Sequence, residues 1–352
     1  MTYRRSTALA TLLGLLVTLL FGLAASPAQA TFPGRNGLIL FNRGGNLFTA
    51  TATGGSIRQL TTSGGISGGK WSPDGKRIAF RVGTKVMVRT QATGRTVAVG
   101  AGAATAPVWA PNGRTVAFVA GLPGAPCGEQ GVFSVPAAGG AAARLIWDPQ
   151  SDNCPHASDV WGLGGYTHDG SGLLVTGCNA YRDDICGITE RTLDPLSPSG
   201  GAVRGVLSIA CFEDSVFPPD GSAALCGYGL HLSDPRVGPG GNGILFTGKG
   251  GLEKPTTATS RLAGTLPGST PFPTSSTPEH VYVVDRSGTG LHRVSTATSG
   301  INPTWSPKGD QVLFTQRTGT TNNIMRVVGT SASATATLLI RNASQADWQP
   351  LV

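Results

Sequence analysis

The 352-residue chain carries 27 Lys and Arg against 19 Asp and Glu, a formal charge of +8, and charged residues are only 13% of it. The excess is scattered into pairs such as Lys76-Arg77, with no basic run or arginine-rich helix, which argues against nucleic acid as a partner. The 52 Gly and 24 Pro stay below the level of structureless low-complexity chains, and beside many short β-branched runs they indicate a turn-rich all-β domain.

The first element in chain order is a leader. Arg4 and Arg5 precede an apolar run from about Ala8 to Ala25, and Ala28-Gln29-Ala30 has the small-x-small pattern that a signal peptidase cuts. Residues 1–30 therefore read as a secretory signal peptide and residues 31–352 as the exported protein. An uncleaved anchor is the competing reading, because ~18 apolar residues approach the length that spans a bilayer. After cleavage no span is expected, and the protein is expected outside the cytoplasm, secreted or in the cell envelope.

The stretch Lys70-Trp-Ser-Pro-Asp-Gly-Lys-Arg-Ile-Ala-Phe80 joins an aromatic, a turn and an alternating strand. Pro73 presets φ inside a type I turn, Ser72 is favoured before it, and Gly75 suits the position that closes it. Ile78 and Phe80 then point to one face and Arg77 and Ala79 to the other. Strands at Lys85 to Arg89 and Arg95 to Val99 complete a four-stranded antiparallel meander. The same signature returns at Trp109, Tyr166, Phe217 and Trp305, each followed by a short apolar strand. A period near ~40 residues with four strands per unit marks a β-propeller.

The ends of the chain complete the count. Asp347-Trp-Gln-Pro350 matches the start of the repeat and Gly34-Arg-Asn-Gly-Leu-Ile-Leu-Phe41 matches its remainder. One blade is thus shared between the termini, the C-terminal strand innermost, which closes the ring and leaves no open array edge. Anchors at Trp71, Trp109, Tyr166, Phe217, Trp305 and Trp348 give a six-bladed β-propeller of four-stranded antiparallel blades. A further anchor near Pro239 would leave too few residues after Phe217 for a blade, so residues 229–278 read as a long insertion carrying one extra strand.

The Trp-Ser-Pro-Asp-Gly turn followed by Arg-Ile-Ala-Phe, with Gly54-Gly-Ser-Ile-Arg-Gln-Leu-Thr61 ending the previous unit, resembles the TolB-like, PD40-type (WD40-like) propeller repeat. The resemblance covers nearly the whole chain after the leader and is strongest at residues 34–118 and 280–350. It implies a six-bladed propeller exported from bacteria that works in the cell envelope by binding other proteins. The family's amino-terminal α/β domain has no matching segment between the leader and the first strand.

Six cysteines, Cys127, Cys154, Cys178, Cys186, Cys211 and Cys226, are even in number and lack C-x-x-C spacing, as disulfides formed outside the cytoplasm would be. The expected pairs are Cys127 with Cys154, Cys178 with Cys186 across a short hairpin, and Cys211 with Cys226 across the Pro218-Pro219-Asp220-Gly221 turn.

Catalytic signals are weak. Gly65-Ile-Ser-Gly-Gly69 satisfies G-x-S-x-G, but no helix or α/β domain follows to make Ser67 a nucleophile, so it reads as a glycine-rich connection. Asp74, Asp169 and Asp220 occupy turn positions where Asp caps local N–H groups. The histidines at 156, 168, 231, 280 and 292 lack metal-site spacing, and no metal or cofactor is expected. The richest irregular segment runs from Trp147 to Trp161, and Trp147, His156, Asp159 and Trp161 are the candidate binding residues on an interaction loop. The resulting expectation is a monomeric, non-catalytic propeller that binds a protein, a peptide or an envelope polymer through its loops or central channel. The alternative is a propeller lyase or glycoside-active enzyme using channel carboxylates at ~5 to 9 Å spacing.

Overall fold

The computed structural model describes residues 32–121, 130–146, 159–167, 169–179, 185–193, 203–209, 223–225, 231–249 and 278–352. They form six antiparallel sheets arranged as a propeller, with no helix among the described residues. Blade I contains β1 (Arg35–Arg43), β2 (Asn46–Ala50) and β3 (Arg58–Gln59), and the last strand of the chain, β25 (Ser344–Leu351), takes its inner position. Blade II is β4 (Ile66–Trp71), β5 (Arg77–Val82), β6 (Lys85–Thr90) and β7 (Thr96–Gly100). Blade III is β8 (Val108–Trp109), β9 (Thr115–Gly121), β10 (Gln130–Pro136) and β11 (Ala143–Ile146).

Blade IV has five strands: β12 (Asp159–Tyr166), β13 (Gly172–Asn179), β14 (Ile185–Thr192), β15 (Val203–Ile209) and β16 (Ala223–Leu225). Blade V is β17 (His231–Val237), β18 (Gly243–Lys249), β19 (Glu279–Asp285) and β20 (His292–Arg293). Blade VI is β21 (Ile301–Trp305), β22 (Gln311–Thr318), β23 (Thr321–Val328) and β24 (Thr337–Ile340).

Strand alternation explains the ring. Ile78 and Phe80 pack toward blade I with Leu40, Leu47, Ile66 and Trp71, whereas Ala79 of the same strand packs toward blade III with Trp109, Val116 and Phe118. Each adjacent pair of blades shares one such apolar cluster, and the sixth closes the circle by setting Ile39, Phe41 and Trp348 of blade I against Leu313, Ile324 and Ile340 of blade VI. The second strand of each blade is buried on both faces, so hydrophobic runs such as Ile39-Leu-Phe41 need no polar side.

The turn chemistry is as the sequence suggests. Ser72 Oγ accepts from the Arg77 amide at 2.8 Å, the Gly75 amide donates to Ser72 O at 2.8 Å, and Asp74 accepts from the Lys76 amide at 3.0 Å. Thr167 and Asp169 in blade IV, and Ser306 in blade VI, repeat the arrangement. Gly75, Gly113, Gly170, Gly241 and Gly309 all hold φ between 64° and 76°, the left-handed region that favours glycine.

Two expectations need correction. Phe217 lies outside the described residues, and no inner strand of the ring follows from it: Ala223–Leu225 pairs parallel to β15 as an added outer strand of blade IV. The fifth inner strand is β17, ending at Val237, and Gly238 to Asn242 make the turn, with the Gly241 amide donating to Gly238 O at 2.9 Å. Residues 229–278 are therefore not an insertion as a whole, because β17 and β18 are the two inner strands of blade V. Ile244-Leu-Phe-Thr247, the extra strand of that reading, matches Val312-Leu-Phe-Thr315 of blade VI and is the second strand of a blade.

The disulfide expectations meet the fold only in part. Cys178 and Cys186 are direct cross-strand partners in the β13–β14 register. Cys127, Cys154, Cys211 and Cys226 lie outside the described residues.

Candidate functional site at the channel mouth

The inner strands run parallel to one another around the axis, and their C-terminal ends meet at one mouth of the channel. The residue before each anchor turns away from the anchor's cluster toward the other neighbouring blade, as Val108 does beside Val160 and Tyr166, and sits at the mouth end of its strand. Lys70, Val108, Gly165, Arg236, Thr304 and Asp347 are those residues, one per blade, and they line a small cavity of about 60 Å³. Phe32 and Pro350 border the same cavity.

Three of the six are charged. Lys70 Nζ lies 3.1 Å from Asp347 Oδ1, with side-chain exposures of 12% and 14%. Asp347 Oδ2 also accepts from the Trp71 amide at 2.8 Å, so one carboxylate ties the last strand of the chain to blade II. Burial pushes the Lys70 ammonium below its ordinary range, the Arg236 charge adds to that effect, and Asp347 partly opposes it. Arg236 Nη1 donates to Gly164 O at 3.1 Å. Among the lining residues, two cations thus face one carboxylate.

Below the mouth the strands share a second feature. The residue three before the anchor adopts positive φ at Gly68, Asp234, Asn302 and Gln345, and the ladder slips there in β4, β17, β21 and β25. These bulges link neighbouring blades: the Gly68 amide donates to Gln345 Oε1 at 3.0 Å, and Asn302 Nδ2 donates to Asp234 Oδ2 at 2.9 Å. Gly68 leaves no alternative, because a Cβ there would lie 2.1 Å from that of Ala106. The residue after the core Phe of the second strand adds further links. Thr247 and Thr315 accept from the amides of Asn302 and Gln345 at 3.2 and 3.0 Å, and Asn42 Nδ2 donates to Ile66 O at 2.9 Å. Trp109 and Trp305 donate their indole N–H to Lys70 O and Arg236 O, fixing the backbone that carries the two cations.

Of the residues proposed from sequence, Trp147 and His156 lie outside the described residues. Asp159 and Trp161 are not on a loop; they belong to β12, near its start, whereas the same strand reaches the mouth at Gly164 and Gly165. Ser67 sits within β4, where its Oγ is 3.3 Å from Arg81 Nε, so the Gly65–Gly69 stretch is the inner strand of a blade rather than a connection or a nucleophile elbow. Sequence reading missed Lys70, Arg236 and Asp347; the signal available was their place one residue before each anchor. No three His, Cys, Asp or Glu side chains gather among the described residues.

Away from the mouth, burial and then the nearby Arg293 charge push His280 down to about 4 from its ordinary 6.5. The unfolded chain therefore binds the proton first as pH falls, and stability conferred by neutral His280 is lost between about 6.5 and 4. Urea midpoints measured across that range should fall for the native protein, and His280→Gln should flatten the curve; an unchanged curve would refute the assignment.

The fold and this site define a six-bladed β-propeller closed by its terminal strands, with a charged channel mouth. In fold it is similar to the propellers of TolB proteins. It matches TolB from Acinetobacter baumannii with a TM-score of 0.58 at 17% identity, over 91% of this chain and 67% of that one. The putative TolB from Agrobacterium tumefaciens gives 0.54 at 16% identity, over 93% and 100%. A chain of the nidogen/laminin complex gives 0.52 at 8% identity, over 89% and 98%. No protein-family model and no curated protein sequence matches this chain.

Proposed function

We propose that this is an exported, non-catalytic propeller that binds a protein, peptide or envelope polymer at the channel mouth bordered by Lys70, Arg236 and Asp347. The observation that carries this reading is the charge arrangement of the mouth. Arg236 and Lys70 outnumber the one lining carboxylate, Asp347, and that carboxylate is already engaged by Lys70 and the Trp71 amide. Such a mouth suits an anionic group of a partner, with the half-buried Phe32 supplying apolar contact. The secretory leader of residues 1–30 supports an extracytoplasmic location. The direct Cys178–Cys186 register fits a bridge, since opposed residues of an antiparallel pair sit ~4.5 to 5.5 Å apart at Cα, within the range a disulfide spans.

The enzymatic reading rests on Asp234 and Asp347, both close enough to Lys70 to act on its charge. Both are committed to structural partners, Asp234 to Asn302 and Asp347 to Lys70 and Trp71. Binding is therefore the better account. A photo-reactive side chain at Thr304 should crosslink a partner in an envelope fraction, and the same group at the exposed Val328 should not. Equal labelling from both positions would count against the mouth, and turnover of an oligosaccharide abolished by Asp234→Asn would establish the enzyme instead.

A further inference from the structure

Along the sequence, the segment that builds blades I and II is nearly free of carboxylates. Residues 32–120, which build most of blade I, blade II and the inner half of blade III, hold eleven Lys and Arg but a single carboxylate, Asp74. Residues 121–310 hold eleven Lys and Arg against seventeen Asp and Glu. Asp74 is itself occupied by Ser72, the Lys76 amide and, at 3.9 Å, Arg77.

Four of these cations gather where the outer parts of blades I and II face each other. Arg89 pairs with Ile78 in the ladder and so shares the face that packs toward blade I, where Arg58 stands on the outermost strand, β3. Arg58 is exposed, and its charge is felt by Arg89 as repulsion. Arg89 Nη1 donates to Gly94 O at 2.7 Å, which holds the guanidinium beside the β6–β7 turn, while its buried Nε has no protein partner. Arg95 is exposed at that turn, and the Gln91 amide donates to Lys76 O at 2.9 Å, placing the Lys76 backbone alongside. Among the described residues none of Arg58, Arg89 and Arg95 has a carboxylate partner.

Like charges brought together without counter-charge are unfavourable to the isolated fold, and an anion that bridges them removes the penalty. A single small anion gains little on so open a surface, because water screens an exposed ion pair and its side chains must be ordered to hold it. A chain of repeated charges gains from every cation it passes and from the release of its own counterions. A folded acidic partner would need an apolar centre, and the exposed large hydrophobic residue beside this surface is Ile57 alone among the described residues.

We propose that the outer wall of blades I and II, centred on Arg58, Lys76, Arg89 and Arg95, binds a linear polyanion, a chain of repeated phosphate, sulfate or carboxylate groups. This surface is separate from the channel mouth and does not depend on what binds there.

The test uses the full chain after the leader with labelled inorganic polyphosphate, heparin and polyglutamate, which separate the three anionic groups by rank of affinity. Arg58→Gln, Lys76→Gln and Arg95→Gln together, all exposed positions, should lower affinity for the preferred polymer by about tenfold or more. The slope of log affinity against log salt should fall by about 2 to 3, roughly one per contacting cation removed. The control, Lys308→Gln, Arg317→Gln and Arg341→Gln on blade VI, removes the same charge and should leave both quantities nearly unchanged. Equal losses in the two variants, or no loss in the first, would overturn the proposal, with thermal melting used to confirm that each variant is folded. Concentration-dependent self-association that the first variant abolishes, without polymer binding, would also overturn it, by assigning the wall to a second copy.

Discussion

Truncation of residues 348–352 is expected to cost the ring most of its stability. Trp348 is 4% exposed, sits in the cluster that joins blades VI and I, and pairs with Ile39 in the ladder. Replacing a buried Trp by Ala removes ~3 to 5 kcal/mol, a large part of the ~5 to 15 kcal/mol that holds a domain folded. The deletion also removes the pairing of Pro350 with Asn36 and of Leu351 with Arg35. It further removes Gln349, whose Nε2 donates to Gly75 O at 2.8 Å and whose Oε1 accepts from the Leu38 amide at 3.1 Å. Blade I would then present β1 as an open edge to the channel. Urea titration should place Trp348→Ala between the native protein and the truncation. A truncated chain with an unchanged midpoint would show that the terminal strand does not close the ring.

The second large effect is expected at Asp347→Ala. The change leaves the Lys70 ammonium buried without its carboxylate and the Trp71 amide without its acceptor. Removing one partner of a buried ion pair typically costs ~3 to 5 kcal/mol, and the slight exposure of this pair places the expectation near ~3. The sign of the pH dependence follows from Lys70. Its folded value lies below its ordinary 10.5, so the unfolded chain binds more protons in the interval between them and stability rises with pH there. Without Asp347 the folded value falls further, because the carboxylate is one of the influences that raise it. The stability gap between the native protein and Asp347→Ala should therefore be widest near neutral pH and narrow toward pH 10.5. A gap that does not change with pH would mean that the lost Trp71 hydrogen bond, not the Lys70 charge, accounts for the loss. In Lys70→Met the charge is absent, and Asp347→Ala on that background should cost less than on the native one.

The comparison of these two residues shows what was legible at each level. Trp348 was recognisable because the repeat is local: an aromatic, a Ser-Pro-Asp-Gly turn and an alternating strand follow from φ preferences and period-2 burial within about eleven residues. That was enough to fix the all-β class, the four-stranded unit, six blades and the closure by the two termini, all of which the structure has. The same local logic misled at Phe217, since a Pro-Pro-Asp-Gly signature by itself does not say where the next strand goes. Whether the strand that follows joins the axis or the rim depends on how many strands the blade already holds. At Val237 the fold needed an inner strand whose anchor is not aromatic and whose turn reads Gly-Pro-Gly-Gly-Asn. The alternation of Ile244-Leu-Phe-Thr247 carried that information, but only relative to the other blades.

The sequence by itself determined the repeating unit, the turn glycines and the pairing of the ends, because each depends on residues adjacent in the chain or on a match between its two termini. Only the tertiary structure decided which strand of the middle region lies innermost, that Lys70 and Asp347 meet across 277 positions of chain, and that Arg58 and Arg89 face each other on neighbouring blades. These are contacts between units, created by ring closure: a place one residue before an anchor sets which way Lys70 and Asp347 turn from it, but not that they meet.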